Sequence, residues 1–466
     1  MAENENQSKE YRSIDIVQKD NLEEVLEPGT DCCIYRVPQH IRKINKEAYS
    51  PRLISIGPLH YGREELMGME NQKKRFWSIF WERVNNAEKS EEFKTYIENQ
   101  EQRIRDHYSV SSTLQSSEYV AMIQRDVVFI IELFMRNYKK TNDFLIKSPS
   151  LHVSIITDLL LLENQVPYFV LDHLYTETFP NIDVDDLFSF LYKYPTTKGD
   201  ALFSFLYDYF SPETFPNSER NPSFFHLSLF FFAGVMKFNR FLLLVAEPQV
   251  QHFTDLVRHA FVMEVQPAES HRGMIYDLPA ATKLNKSGLN FSFIEDKCYL
   301  DITLEKRRRG KWLPWFEVNE LQIPRIEIYD ETEGLFRNMM ALEMFHYPTQ
   351  THICNYVDLL DYLIDTVNDV DLLVEKGIIV NCVGDNKVIA KMFNKLGTYM
   401  TTSTHSRYCG IVDRMKTHYN NPWNHAKATL RSGYFSNVWT GIATVAATFL
   451  LILTVIQTVC SIMQVI

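Results

Sequence analysis

Glycine-rich phosphate loops are missing from this sequence: neither G-x-x-x-x-G-K-S/T nor G-x-G-x-x-G occurs. The nucleophile elbow G-x-S-x-G and the zincin pattern H-E-x-x-H are missing as well. Nucleotide, serine-hydrolase and zincin readings therefore have no sequence support, because each chemistry needs those residue types at those spacings. Cysteine is scarce. The seven are Cys32, Cys33, Cys298, Cys354, Cys382, Cys409 and Cys460, scattered, odd in number and without a C-x-x-C pair. A secreted disulfide framework is denser and more regular, so they read as reduced thiols of a cytosolic domain. Cys460 is the exception, in an apolar C-terminal segment. Adjacent cysteines bridge only with strain, so Cys32 and Cys33 are expected to be small buried hydrophobes. Positive charge is also in deficit: 48 Lys and Arg face 59 Asp and Glu, for a net charge of −11. A surface that tracks phosphates needs the opposite balance, so no nucleic-acid partner is expected.

No leader is expected at the N-terminus. Met1 to Glu27 is polar and acidic, with no basic region followed by an apolar one. A signal peptide is not expected, and the acids argue against a transit peptide. The sequons at Asn6, Asn285 and Asn290 are then expected to stay unglycosylated.

What the chain does have is apolar bulk, 45% hydrophobic and 13% aromatic over 466 residues. That supplies a sizeable core for one large domain or two to three average ones. One long uncharged run stands apart, Val438 to Ile466. About 20 such residues cross the hydrocarbon of a bilayer as a helix. Ile442, Val445, Phe449, Leu450, Leu453 and Ile456 are the expected lipid-facing anchor, and Trp439 sits where an interfacial aromatic sits. Arg414, Lys416, Lys427 and Arg431 precede the run against Asp413 alone. That excess predicts the N-terminal domain in the cytosol, with the topology of a tail anchor. Gln457 is a polar break that could bond to a second helix, so homo-oligomerisation is left open.

Elsewhere helical periodicity dominates. It predicts helices over Met69–Val84, Ser117–Tyr138, Leu151–Asn164, Tyr168–Thr178, Phe224–Ala233, Glu331–Phe345, Thr351–Val367, Asp385–Leu396 and His405–Leu430. Residues 31–61, rich in turn formers, read as irregular but packed. Thr178 to Arg220 reads as an insertion. Alternation at Leu289, Phe291 and Phe293, at Leu300, Ile302 and Leu304, and at Leu321, Ile323, Ile326 and Ile328 predicts a small antiparallel β-meander over about 289–328.

Polar clusters inside these elements have structural readings. Asp158 and Glu163, placed on one helix, stand about 140° apart round its axis and cannot converge as an acid/base pair. Glu163, Asn164 and Gln165 are expected to satisfy backbone groups at a helix end above Pro167, with Asp158 structural beside them. Glu132 is expected to pair with Arg136 one turn on. His346, His352 and Cys354 offer ligand types without a fourth partner, so no metal is expected. Lys306, Arg307, Arg308, Arg309 and Lys311, followed by Trp312 and Trp315, form a basic cluster between two predicted strands. It reads as a solvated turn, or as a contact for anionic lipid headgroups.

Several ordered phrases resemble the plant family known as domain of unknown function 247. They include Cys32-Cys33-Ile34-Tyr35-Arg36-Val37-Pro38, Ile54-Ser55-Ile56-Gly57-Pro58, and Met69-Glu70 with Lys73 and Arg75. The most diagnostic runs from Asp158 through Glu163-Asn164-Gln165-Val166-Pro167; Arg337-Asn338-Met339-Met340-Ala341-Leu342-Glu343 also fits. Where the family has Tyr-His-His-Gly, this chain has Leu59-His60-Tyr61-Gly62, and where it has Asp-Gly-Cys-Phe, this chain has Asp126-Val127-Val128-Phe129. The resemblance implies a plant protein ending in one membrane helix, with no established activity. Some grass relatives sit at self-incompatibility loci, which implies a recognition role.

The expectation is thus a mainly α (α+β) protein: an acidic tail (1–30), one large cytosolic helical domain (31–435) and a transmembrane helix (438–466). It is expected to be a recognition or signalling module on the cytosolic face, with the plasma membrane as the first choice of compartment. The bilayer and other proteins are its expected partners, and no cofactor is expected. The alternatives are a membrane-tethered enzyme with an unrecognised site and a self-associating scaffold.

Overall fold

A computed structural model describes residues 29–179, 222–232, 248–262, 273–295, 298–308, 317–398, 406–434 and 438–465. Most of the acidic tail, the insertion after Thr178, and Arg309, Lys311, Trp312 and Trp315 lie outside these residues. The chain enters as a strap, residues 31–61, with short helical turns at Gln39–Arg42 and Lys46–Tyr49. Two helices follow, α1 (Met67–Val84) and α2 (Ala87–Asp106). Asn85 ends α1 in the left-handed conformation at φ 49°. Asn86 starts α2 by accepting from the Glu88 and Lys89 amides at 3.0 and 3.2 Å. An amide side chain suits both jobs: it tolerates positive φ and caps free N–H groups.

Helix α3 (Ser116–Tyr138) is buried on every side from Asp126 to Met135. A helix apolar all round has to be surrounded, and α1, α2, α5 (Tyr168–Thr178) and α6 (Phe224–Phe231) enclose it. Aromatic rings carry much of that packing: Phe129 meets Phe76 at 5.0 Å between centroids, and Phe134 stacks on Phe231 at 4.1 Å. Helix α4 (Pro149–Leu159) leads into the leucine run, and α7 (Phe253–Val262) and α8 (Ala281–Lys286) bridge to the second half.

The small sheet is present but is not a meander. β1 (Asn290–Ile294) and β2 (Thr303–Arg308) both pair with β3 (Glu317–Pro324), in the order β1-β3-β2. β1 runs parallel to β3 and β2 antiparallel. The slip in alternation at Pro324 marks where the chain changes sheets. β4 (Ile326–Ile328) leaves to pair in parallel with β5 (Ile379–Asn381). Helices α9 (Thr332–His346), α10 (His352–Leu363), α11 (Val367–Glu375) and α12 (Asn386–Leu396) complete this half. The single helix expected over His405–Leu430 is two, α13 (Cys409–Tyr419) and α14 (Pro422–Tyr434). Pro422 fits the first turn of α14 but could not continue α13. Helix α15 (Val438–Val465) comes last.

Candidate functional site

The leucine phrase is where the longest-range contacts converge. Helix α4 stops at Leu159, so Asp158 and Glu163 do not share a helix as expected. The cause is local. The Asn164 amide donates to the Asp158 carbonyl at 2.9 Å, and Gln165 donates to the Leu159 and Leu161 carbonyls at 2.5 and 2.8 Å. Side chains thus take up carbonyls that a continuing helix would have used. Pro167 then opens α5.

The freed polar atoms grip the strap. Asp158 accepts from the backbone N–H groups of Arg52, Leu53 and Ile54 at 2.9, 2.7 and 2.8 Å. Asn164 accepts from Ile56 N at 2.7 Å and donates to Ile54 O at 3.0 Å. Glu163 accepts from Val37 N at 2.8 Å and pairs with Arg42. Asn338 on α9 accepts from Leu162 N and donates to Ala48 O, at 2.8 and 2.7 Å. Burial raises the carboxyl pKa of both Asp158 and Glu163, against the pull of these donors. With their oxygens occupied by backbone and guanidinium, the pair has no convergent geometry for proton transfer.

Two further buried networks surround α3. Lys73 is fully buried, 2.6 Å from both Asp126 and Glu70, and donates to Ser55 O at 2.5 Å. Glu132 takes Arg136 and also Arg83, each at 2.7 Å. The sequence pointed to Arg136 by its spacing; Arg83 is on another helix and carried no such signal. Arg258 and Glu343 form a third buried pair at 3.2 Å. His346 Nδ1 faces the Tyr35 hydroxyl at 3.2 Å, while Cys354 is packed against Glu343. Among the described residues no three His, Cys, Asp or Glu side chains gather as metal ligands do. Cys32 and Cys33 are buried free thiols, and burial pushes Cys32 up to about 11.

Three recesses differ in chemistry. One of ≈690 Å³ is mostly apolar, walled by Ile156, Leu160, Phe230, Phe231 and Phe336. A second, ≈470 Å³, gathers Asp277, Lys283, Asp361 and Asp365. A third, ≈260 Å³, lies where the strap passes Glu163 and is lined by arginines and lysines. The basic cluster behaves differently from a simple turn: Lys306 and Arg307 are exposed on β2, and Arg307 pairs with Glu320 across the sheet at 3.0 Å. Arg308 ends that strand opposite Glu317.

Helix α15 contacts little besides α14. Its segment Ile442–Met463 is long and apolar enough to cross a membrane, and none of it is buried. Ile442, Val445, Phe449, Leu450, Leu453 and Ile456 are all exposed; the Trp439 side chain is outside the described set. Thr448, Thr454 and Thr458 donate their hydroxyls to carbonyls four residues earlier, at 2.7–2.8 Å. These three hydroxyls are therefore satisfied within the helix itself.

Comparison with known proteins bears on this arrangement. The family DUF247, described as plant protein of unknown function, matches residues 34–453. UPF0481 protein At3g47200 of Arabidopsis thaliana is 25% identical over 464 residues, covering 93% of this chain and 87% of the relative. Putative UPF0481 protein At3g02645 of the same plant is 24% identical over 184 residues, 39% of this chain and 32% of the relative. No solved structure matches at a significant level.

Proposed function

This chain belongs to the plant family DUF247, and on that premise we propose that it is a recognition module held on the cytosolic face of a membrane by α15. The observation that carries this reading is the unburied state of Ile442–Met463. An exposed apolar surface of that length is far beyond what a soluble monomer carries. The charges Arg414, Lys416, Lys427 and Arg431, before the helix, favour a cytosolic domain. The ≈690 Å³ recess supports binding, since its walls are mostly apolar. Its partner on this reading is another protein. The exposed Lys306 adds a cationic contact for anionic headgroups.

The test is alkaline extraction and protease protection of the full chain in plant microsomes. We expect the wild type to resist extraction and its domain to be digested from the cytosolic side. Leu450→Arg with Leu453→Arg should shift the protein to the soluble fraction, as each centred arginine costs about 3 kcal/mol of insertion. Extraction of the wild type, or equal retention of the variant, would overturn the membrane reading.

A further inference from the structure

Against a net charge of −11, the ≈260 Å³ recess beside the strap is strongly cationic. Arg36, Arg42, Lys43, Lys46 and Arg63 line it, and the carboxylate in its wall is Glu163. That carboxylate is already engaged by Arg42 and by Val37 N. Lys43 and Lys46 are exposed and have no ion-pair partner among the described residues. Like charges converging on one concavity repel, so the arrangement is stabilised by an anion from outside.

A second observation points the same way. His60 lines the recess at 2% exposure, and neither of its ring nitrogens has a hydrogen-bond partner. Its nearest carboxylate oxygen, on Glu163, is 3.7 Å away, too far for a hydrogen bond. Burial, then Arg63, Arg42 and Arg36, hold its pKa down to about 3, so the imidazole is neutral and keeps one N–H to donate. A buried donor left unpaired is costly, and an anionic oxygen in the recess would take it.

We propose that this recess binds a compact polyphosphorylated small molecule of the inositol phosphate type, either free or as the headgroup of a lipid. With Arg42 held by Glu163, Lys43, Lys46 and Arg63 still offer more charge than one phosphate needs, and a guanidinium group matches two phosphate oxygens at a time. The volume lies just below the ~300–1,000 Å³ of drug-sized pockets, which suits a headgroup-sized ligand. No Phe, Tyr or Trp lines the recess, so a nucleobase would have no ring to stack on. The site is a single small concavity rather than a stripe, which disfavours a nucleic-acid strand. Its geometry does not depend on whether α15 inserts.

The experiment is calorimetric titration of the full chain in phosphatidylcholine nanodiscs. The probes are inositol trisphosphate, a short-chain phosphatidylinositol bisphosphate below its micelle concentration, inorganic phosphate and a phosphoserine peptide. One saturable site is expected for the first two. Lys43→Glu with Lys46→Glu, both exposed, should weaken it at least tenfold without shifting thermal unfolding. Arg63→Gln should weaken it also. Equal affinity for the trisphosphate and the lipid assigns the free ligand; a lipid tenfold tighter assigns the headgroup. No saturable binding by either, unchanged binding in the variants, or inorganic phosphate or the phosphopeptide binding as tightly would overturn the proposal.

Discussion

Gly57 shows how little room the strap has. Its φ is +70°, its N–H donates to Asp126 at 2.8 Å, and a Cβ there would overlap the Gln165 carbonyl and sit 2.9 Å from the Tyr108 hydroxyl. That hydroxyl itself donates to the Gln165 carbonyl at 2.8 Å. Gly57→Ala should therefore destabilise by at least about 2 kcal/mol through strain and displacement together, read as a lower denaturation midpoint at constant slope. A different cost attends Asp358 and Asp361. Burial, then repulsion from Asp361 on Asp358 and from Asp365, just past α10, on Asp361, raises both to about 6 from an ordinary 3.8. A carboxyl whose folded pKa is raised contributes stability below its unfolded pKa, and that contribution is lost as pH rises through about 6. Asp361→Asn should thus raise the melting temperature at pH 7.5, by about 1–3 °C, and the gain should vanish below about pH 4. A gain independent of pH would show that the ionised carboxylate is not the cause.

Between elements, the buried lysine is the joint. Lys73 comes from α1, Asp126 from α3, and the Ser55 carbonyl from the strap, so one ammonium fixes three pieces. Removing it leaves the buried Asp126 carboxyl without its cation. Lys73→Met should cost about 3–5 kcal/mol, and adding Asp126→Asn should recover part of that loss. A denaturant-based double-mutant cycle checks it, and strictly additive losses would contradict the coupling. Lys73 also marks the limit of what the sequence discloses about elements. The helix that carries it was legible because Met69, Phe76 and Phe80 repeat on one face. The role of the lysine was not, since its partners outside α1, Ser55 and Asp126, lie 18 and 53 positions away in sequence. Helix α2 escaped for the opposite reason: only Phe93, Ile97 and Ile104 are buried in a mostly charged run. The strands were legible from period two, but strand order was not, because alternation gives a face and no neighbour. The basic recess is invisible in sequence. Its residues are spread from 36 to 163, and none of those spacings repeats a motif.

At the scale of the whole molecule, one apolar helix stands outside a core that otherwise absorbs most of the large hydrophobes among the described residues. That division was legible, because length and lack of charge suffice to set α15 apart. The strap has a consequence in time. Ala48 emerges from the ribosome 290 residues before the Asn338 amide that takes its carbonyl. At about 5–20 residues per second of synthesis, that interval is roughly 15–60 s. The Ala48 end of the strap thus waits for α9, whereas Ile54 and Ile56 meet Asp158 and Asn164 once 104 and 108 further residues have been made. This order of contacts leaves the Ala48 end of the strap uncovered until α9 has been made.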